Sequence, residues 1–273
     1  MKRNCIIYGN CQVLPIRNHL LTSSTFTKYF NILELPVHLL DKVAGISDHY
    51  LTNCELFIYQ HVSPSFSPVL STDYIMTKLP ANAIRISYPN CYFTGYFPHY
   101  IKDPGFPDFP YADTGVMALV QQGKPIHEIL AILSDPDYYS HHHVTTILNS
   151  TLIQLRSREK DLNISISNYI ENNFRDQYLF YTVNHPKFYV TSYIARQIIS
   201  MLGISGHEIA DISFEPYFHS WTQPIYPSVI KHLNLSFISS QDRCFAAFGK
   251  FNLSFQEYMM QHIEYLRNKT GSF

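Results

Sequence analysis

The chain has 273 residues, a length that suits one large α/β domain or one domain with a modest appendage. Its 20 Lys and Arg nearly cancel its 21 Asp and Glu, leaving a formal charge of −1. This balance argues against a general nucleic-acid or anionic-membrane binder, which would carry a basic excess. Only 15% of the residues are charged, and 21 Tyr and 19 Phe are too many for one core, so some rings must be partly exposed or line a groove.

The cysteines are widely spread, and none of them forms a CxxC pair that would indicate a zinc site or a disulfide framework. No apolar run is long enough for a secretory signal or approaches transmembrane length. We therefore expect a reducing, cytoplasmic setting, no metal, no nucleic-acid partner and no membrane insertion. The cysteines are Cys5, Cys11, Cys54, Cys91 and Cys244.

The first half of the chain alternates strand-like and helix-like segments, which predicts an α/β fold with a parallel central sheet flanked by helices. The predicted strands are Asn4–Tyr8, Tyr29–Leu35, Glu55–Gln60 and Ala83–Tyr88. Three of them end in polar or turn-rich residues: Gly9–Gln12, Gln60-His61 and Tyr88-Pro89-Asn90. Parallel sheets bind ligands at the carboxyl ends of their strands, so these ends predict a site on one rim.

Cys11 is the first candidate for chemistry at this rim. It lies between a buried strand and a segment with Pro15 near its start and apolar residues at helical spacing, so it is expected at a strand-to-helix turn. The positive end of a helix dipole lowers a thiol pKa and favours the reactive thiolate. The alternative is a small buried cysteine that packs the turn.

The rest of the chain is less regular. The aromatic stretch Pro89–Pro110 predicts a long ordered loop, which either walls a ligand cleft or caps the core. Periodic apolar positions predict helices over Pro125–Leu133, from Val144 to the charged run Arg156–Asp161, around Ile166–Phe174, from Lys187 to Gly203, and after a capping box at Ser254 and Glu257. Tyr178–Val183 predicts a strand, and Ser205–Lys250 is aromatic and irregular. We expect a single α/β domain over 1–273, with 205–273 as a C-terminal extension packed on it.

A nucleophilic cysteine needs a base, and two histidines lie at predicted strand ends. His61 follows Gln60, and His185 lies between Asn184 and Pro186, where a helix is expected to open. Structural roles remain open for both histidines. His141-His142-His143 predicts a solvated helix start rather than a metal site, because zinc ligands on a helix prefer i, i+3 or i, i+4 spacing.

Asp113 is expected to cap the next helix, with orientation of a histidine as the alternative role. The cations Arg156, Arg158, Lys160 and Arg175 could hold phosphates, but a charged helix end is usually a solvated face.

Several of these motifs together resemble the WcbI-type polysaccharide biosynthesis proteins. The motifs are Gly9-Asn10-Cys11-Gln12, Tyr59-Gln60-His61, Tyr88-Pro89-Asn90, Gly95-Tyr96, Asp113, and Leu179-Phe180 leading to Asn184-His185-Pro186. The resemblance covers roughly Asn4 to Gly203. It implies a bacterial protein of capsule or surface-glycan loci that binds coenzyme A as an acetyltransferase. It also implies a fold similar to SGNH hydrolases, with Cys11 standing where those enzymes carry serine.

The resemblance thus implies acyl transfer, here of acetyl, from acetyl-CoA to a sugar hydroxyl of a nucleotide-sugar or glycan acceptor. Cys11 then becomes the candidate nucleophile or the residue beside the coenzyme thiol, and His185 and His61 are the candidate catalytic histidines. The candidate coenzyme-binding residues are Gly9, Asn10, Gln12, Gln60, Asn90 and Asn184. Backbone N–H groups near Asn10 to Gln12, with the side chains of Asn10 and Asn90, are candidates for an oxyanion hole. Two alternatives remain: an esterase or thioesterase that uses water as acceptor, and a non-catalytic coenzyme- or glycan-binding protein in which Cys11 is structural.

Overall fold

The computed structural model describes residues 2–101, 111–212 and 221–270. In these ranges the strands are β1 (Arg3–Gly9), β2 (Phe30–Pro36), β3 (Leu56–Tyr59), β4 (Ile84–Ser87), β5 (Tyr100–Ile101), β6 (Ala112–Asp113), β7 (Phe180–Thr182), β8 (His185–Pro186), β9 (Phe245–Ala247) and β10 (Lys250–Leu253). The helices are α1 (Val13–Leu20), α2 (Ser24–Tyr29), α3 (Asp48–Thr52), α4 (Thr72–Lys78), α5 (Thr114–Gln121), α6 (Ile126–Leu133), α7 (His141–Glu159), α8 (Ser167–Asn173), α9 (Phe188–Met201), α10 (Pro227–Leu233) and α11 (Phe255–Thr270).

The chain divides into two compact units, each built from several chain segments. The first unit comprises residues 1–91, 155–169 and 186–215, and the second comprises residues 92–154, 170–185 and 216–273. Most of the stretch 205–273 therefore belongs to the second unit. Its description as an extension on a single domain stays a prediction.

The first unit is built on a parallel sheet with the strand order β2-β1-β3-β4, which confirms the predicted strands to within two residues at each end. β1 is buried from Cys5 to Tyr8, as expected of a strand covered on both faces. The chain moves from β1 outward to β2 and then returns to the other side of β1 to form β3. The reversal places a topological switch point at the carboxyl ends of β1 and β3, where open α/β sheets form a ligand crevice.

Helices α1 and α9 pack on each other in the first unit. Val190, Ile194 and Ile198 form the buried face of α9, which confirms the predicted helical periodicity. His19 of α1 bonds through Nε2 to the Thr191 hydroxyl at 3.0 Å. Its Nδ1 lies 3.2 Å from the Ala210 carbonyl oxygen. Burial lowers the pKa of this histidine, so the ring makes both contacts in its neutral form.

In the second unit, the Asp113 side chain is buried and hydrogen-bonded. The carboxylate accepts the Val116 N–H at 3.0 Å, which confirms that Asp113 caps α5. It also accepts the Tyr226 hydroxyl at 2.8 Å and lies 3.7 Å from His99 Nε2. Asp113 is 3% exposed, so the hydrogen bonds from Val116 and Tyr226 compensate for the lost hydration of a buried carboxyl group.

The aromatic stretch that begins at Pro89 contributes to the core of the second unit. Phe93, Tyr96 and Phe97 are almost fully buried, and the Tyr96 hydroxyl donates to the Phe174 carbonyl at 2.6 Å. For these residues the structure favours the second of the two alternatives, a cap on the core, while residues 102–110 lie outside the described ranges.

The helices of the second unit follow the predicted pattern most closely at its C-terminal end. The Ser254 N–H donates to Glu257 Oε2 at 2.8 Å, and the Glu257 N–H donates back to Ser254 Oγ at 3.3 Å, so the capping box is confirmed. The resulting helix α11 packs on α5 and α6. The stretch Ser205–Lys250, expected to be irregular, nevertheless contains α10, which Asn234 ends in the left-handed conformation. No helix in the described part of the chain is long and apolar enough to cross a membrane.

Candidate active site at the carboxyl edge of the parallel sheet

Gly9 ends β1 at the switch point, where the Gln60 side chain approaches the backbone closely. A Cβ atom built on Gly9 would lie 2.5 Å from Gln60 Oε1. Only glycine therefore allows Gln60 to reach across from the end of β3 and accept the backbone N–H of Asn10 at 2.9 Å. This contact ties together two of the strand ends that the sequence predicts on one rim.

The third strand end joins the same cluster through carboxamide side chains. Asn10 Nδ2 donates to Asn90 Oδ1 at 3.1 Å, and the Asn10 Oδ1 accepts the Gln12 N–H at 2.9 Å. Gln60 Nε2 donates to Gln12 Oε1 at 2.8 Å and to the Pro89 carbonyl at 3.2 Å. The structure thus brings together Asn10, Gln12, Gln60 and Asn90, which we call the amide cluster.

Gln12 holds the backbone that follows β4. Its Oε1 accepts the Cys91 N–H at 3.1 Å, while its Nε2 donates to the Cys91 carbonyl at 3.0 Å. The side chain pairs with one residue's backbone as a neighbouring strand would. Gln12 and Gln60 are 0% and 3% exposed. Their polar atoms are therefore engaged inside the protein, and both side chains fix the geometry of the turn that carries Cys11.

Cys11 lies in the turn between β1 and α1, as predicted, but its thiol does not have the predicted low pKa. Burial raises the pKa of Cys11 to about 11, a shift only partly offset by a hydrogen bond from its own backbone N–H. Helix α1 begins at Val13, two residues later, with Gln12 in the N-cap position, so Cys11 lies before the first turn of the helix. The expectation of a partly ionised thiol at neutral pH is therefore wrong, because loss of hydration outweighs the dipole.

Two hydrogen-bond donors of this rim remain available to a ligand. Among the described residues, the Asn90 Nδ2 donates to no protein acceptor, and the Asn90 side chain is exposed. Within the same ranges, the Cys11 N–H meets only its own sulfur. The N–H groups of Asn10 and Gln12, also expected in an oxyanion hole, instead donate to Gln60 and Asn10.

His61 follows Gln60 in the first unit, and its side chain is exposed. It makes no hydrogen bond to another described side chain or backbone group. His61 is therefore not part of the amide cluster, and its predicted role stays a prediction.

His185 lies in the second unit, in a setting that differs from the predicted one. It is in β8, which pairs with β7 in a two-stranded sheet, so among the described strands β7 is not a member of the parallel sheet. Helix α9 begins at Phe188 with Lys187 as its N-cap, and Pro186 precedes the helix rather than opening it. The expected strand-to-helix turn is thus replaced by a hairpin with Val183 and Asn184 at its turn.

The imidazole of His185 contacts a hydroxyl that the sequence did not single out. Its Nδ1 lies 3.1 Å from the Tyr111 Oη. Tyr111 also approaches Asn184 Oδ1 at 3.4 Å, and Thr182 Oγ1 lies 3.1 Å from the same oxygen. Burial lowers the pKa of His185 to about 4, so the ring is neutral at pH 7. In the sequence, Tyr111 directly follows the aromatic stretch and precedes Asp113 by two residues. This position does not distinguish Tyr111 from the many aromatic residues near it.

The remaining candidates lie outside these clusters. His141, His142 and His143 are exposed at the start of α7, and the described residues contain no group of side chains suited to a metal ion. Arg175 donates through Nε to the Leu233 carbonyl at 3.3 Å, which is a structural contact.

A parallel sheet with a cysteine and a cluster of carboxamides at its switch point defines an α/β protein with a candidate ligand site at the carboxyl edge. A sequence model of the family described as "polysaccharide biosynthesis enzyme WcbI" matches residues 4–207. The chain therefore belongs to the WcbI family of polysaccharide biosynthesis enzymes. No curated protein matches it.

One solved structure has a similar fold. It is that of WcbI, described as a novel polysaccharide biosynthesis enzyme in its native form without the disulfide bond between coenzyme A and one of its cysteines. The match has a TM-score of 0.83 at 19% sequence identity, and it covers 98% of this chain and 91% of that chain. At this identity the likeness concerns the fold.

Proposed function

We propose that this protein transfers an acetyl group from acetyl-CoA to a sugar hydroxyl in the biosynthesis of a capsular or surface polysaccharide. The observation that carries the proposal is the amide cluster, which presents Cys11 and two hydrogen-bond donors at the switch point of the parallel sheet. Family membership supplies the polysaccharide context. The coenzyme comes from the related WcbI, whose description refers to a disulfide bond between coenzyme A and a cysteine that is absent from that native form, and this reference supports a coenzyme thiol beside Cys11.

The two available donors suit the charge that develops in acyl transfer. When a nucleophile attacks a thioester carbonyl, the oxygen becomes an oxyanion, and fixed donors in a dry site stabilise it without reorganisation. We assign this role to the Cys11 N–H and the Asn90 Nδ2. Gly9 allows the close approach that sets the first donor, and Asn10 holds Asn90 through the 3.1 Å bond between their side chains.

The proposed chemistry has two steps. The Cys11 thiol gives its proton to a histidine base as the sulfur attacks the acetyl carbonyl. The bond from the carbonyl to the coenzyme sulfur then breaks, and the coenzyme leaves as a thiol with that proton. In the second step the base takes the proton of the sugar hydroxyl, the oxygen attacks the acetyl-cysteine, and the thiol of Cys11 is restored with the same proton. A thiol with a pKa of about 11 requires such a base, because little thiolate exists at pH 7.

We assign the base to His185, which is neutral at pH 7 and so able to accept a proton. We assign His61, an exposed side chain after β3, to contact with the acceptor or the coenzyme. Gln12 and Gln60 act as positioning residues, because their amides are engaged with Cys91, Pro89 and Asn10. This division of roles is similar to that of SGNH hydrolases, with cysteine in place of serine.

The test is incubation of the protein with acetyl-CoA, with and without nucleotide-sugar or oligosaccharide acceptors. We expect coenzyme thiol release that depends on an acceptor, and an acetylated sugar as product. Mass spectrometry without an acceptor should show one acetyl group on Cys11. The Cys11→Ser and His185→Gln variants should lose activity by about two orders of magnitude or more, as loss of a nucleophile or a base does. Cys244→Ser, at an exposed thiol of the second unit, serves as the matched control and should keep wild-type activity.

The other outcomes select the rival functions. Thiol release that is as fast without an acceptor would indicate a thioesterase that uses water. Stabilisation of the protein by coenzyme A without any thiol release would indicate a binding protein. Absence of both release and thermal stabilisation at about millimolar coenzyme would refute the coenzyme site itself.

A further inference from the structure

The proposed base, His185, belongs to a small hydrogen-bonded group in the second unit that the proposed function has not yet used. The group consists of Tyr111, Thr182, Asn184 and His185, and Tyr111 and Thr182 are buried. A neutral imidazole carries one proton, on either Nδ1 or Nε2, and only the other nitrogen can act as a base. A partner that fixes the proton on Nδ1 therefore favours Nε2 as the basic nitrogen.

The side-chain oxygen of Asn184, Oδ1, determines the direction of the hydrogen bonds in this group. As a carboxamide oxygen it can only accept, and two hydroxyls point to it: Thr182 Oγ1 at 3.1 Å and Tyr111 Oη at 3.4 Å. When Tyr111 donates its single proton to Asn184, its oxygen keeps lone pairs that can only accept. Two donors of the described residues lie within reach, His185 Nδ1 at 3.1 Å and Thr182 Oγ1 at 3.3 Å. The Thr182 hydroxyl lies closer to Asn184 Oδ1, so the ring N–H remains the donor to the phenol oxygen.

The length of the contact between the ring and the hydroxyl agrees with this direction. The Nδ1 to Oη distance is 3.1 Å. An N–H group that donates to oxygen is found at about 2.7–3.2 Å. The contact lies within this range, as expected for a ring N–H that donates to the phenol oxygen.

We propose that Tyr111, oriented by Asn184 and Thr182, is a positioning residue that keeps the proton of neutral His185 on Nδ1 and leaves Nε2 as the basic nitrogen. This inference rests on the proposed function, in which His185 is the base. It changes the expected role of Asn184, whose side-chain oxygen serves the tyrosine and the threonine rather than the coenzyme. The phenol oxygen is a fixed neutral acceptor beside Nδ1, so it also favours one orientation of the partly buried imidazole.

The first test reads the ring directly. In protein labelled with ¹⁵N at histidine, the imidazole nitrogen shifts distinguish the two tautomers, and the His185 signals are those missing from the His185→Gln variant. We expect the Nδ1–H tautomer in the wild-type protein. The Tyr111→Phe variant keeps the ring and removes the hydroxyl, and it should move His185 toward the Nε2–H tautomer that free histidine favours. Wild-type His185 in the Nε2–H form would overturn the inference.

The second test uses turnover. We expect Tyr111→Phe to lower kcat about tenfold or more with KM within about twofold, because an imidazole in the wrong tautomer cannot take the proton. Thr182→Val, which removes a donor to Asn184 and preserves the side-chain shape, should lower kcat less. Tyr100→Phe is the matched control, since its ring lies 6.3 Å from that of Tyr111 in the same aromatic group, and it should leave kcat and the tautomer unchanged.

Failure of this inference and failure of the proposed function give different results. If His185→Gln abolishes acetyl transfer while Tyr111→Phe changes neither tautomer nor kcat, the base assignment stands and the positioning role is refuted. If no acetyl transfer occurs in any variant, the proposed function fails. The ¹⁵N shifts then still decide whether Tyr111 sets the tautomer.

Discussion

Gln60 offers the strongest test of the amide cluster, because one side chain there makes three hydrogen bonds. Its Oε1 accepts the Asn10 N–H at 2.9 Å, and its Nε2 donates to Gln12 at 2.8 Å and to the Pro89 carbonyl at 3.2 Å. Substitution by methionine preserves the length and approximate volume and removes all three bonds. Each such bond contributes about 1 kcal/mol net, and groups left unpaired in a buried site cost more, so we expect Gln60→Met to lower the free energy of unfolding by about 3–4 kcal/mol.

The measurement is urea unfolding followed by circular dichroism with linear extrapolation. Gln197→Met is the matched control, because Gln197 is exposed on α9 in the same unit, and it should change stability by no more than about 0.5 kcal/mol. A loss below about 1 kcal/mol for Gln60→Met relative to this control would refute the reasoning. Such a result would mean that the three hydrogen bonds of Gln60 add little to the free energy of unfolding, because the same groups bond equally well to water in the unfolded chain.

A second substitution at the same position separates geometry from charge. Gln60→Glu keeps the oxygen that accepts the Asn10 N–H but replaces the donor by a second oxygen, which faces Gln12 Oε1 and the Pro89 carbonyl. The buried carboxyl favours its protonated form, so its folded pKa lies above the unfolded value of about 4.3. Stability is then retained at low pH and lost as the pH rises through the folded pKa. We expect this variant to be less stable at pH 7 than at pH 5, relative to wild type.

Three further predictions concern the thiol, the glycine and the buried histidines. Site-resolved iodoacetamide labelling of Cys11 should be slow at pH 7 and still accelerate at pH 10, since its pKa is about 11, and a plateau below pH 9 would contradict the raised pKa. Gly9→Ala should cost about 2 kcal/mol in urea unfolding by displacing Gln60, whereas Gly206→Ala, with no heavy atom closer than 3.4 Å to the new Cβ, should be nearly neutral. The free energy of unfolding should fall as the pH is lowered from about 6.5 to 4, because burial lowers the pKa of His262 to about 4 and the unfolded chain binds more protons in this range. The His262→Gln variant should lose about 3 kcal/mol of this pH dependence, and an unchanged slope would contradict it.

The sequence predicts the parallel sheet and the gathering of its strand ends because both depend on local patterns. A buried parallel strand requires a continuous apolar run such as Cys5–Tyr8, and a turn after it requires glycine or polar residues such as Gly9 and Asn10. Once the strands are parallel, their carboxyl ends must share one edge. The site at that edge therefore follows from strand patterns and connectivity alone.

The thiol pKa of Cys11 and the environment of His185 could not be predicted in the same way. The pKa depends on how far the turn is buried, and burial results from packing by distant parts of the chain, such as the Cys91 backbone that Gln12 binds across 79 residues. Strand β7 has the same short, largely apolar pattern as a strand of the parallel sheet, so the sequence does not show which strand it pairs with. Helix α10 was missed for a related reason, because its few turns are surrounded by aromatic residues without a clear period.

The amide cluster has a consequence for how the proposed reaction depends on pH. Asn10, Gln12, Gln60 and Asn90 are neutral carboxamides that do not titrate, so their hydrogen bonds keep the same donors and acceptors across the physiological range. A cluster of carboxylates in this place would raise the thiol pKa further and repel the phosphates of a coenzyme. With neutral amides, changes in activity with pH report on the thiol and on the histidine base. Since the pKa of His185 is about 4 and that of Cys11 about 11, both groups stay in one protonation state from about pH 5 to 10. The rate of acetyl transfer should therefore be nearly constant over this range, and a bell-shaped profile centred near pH 7 would show that another group acts as the base.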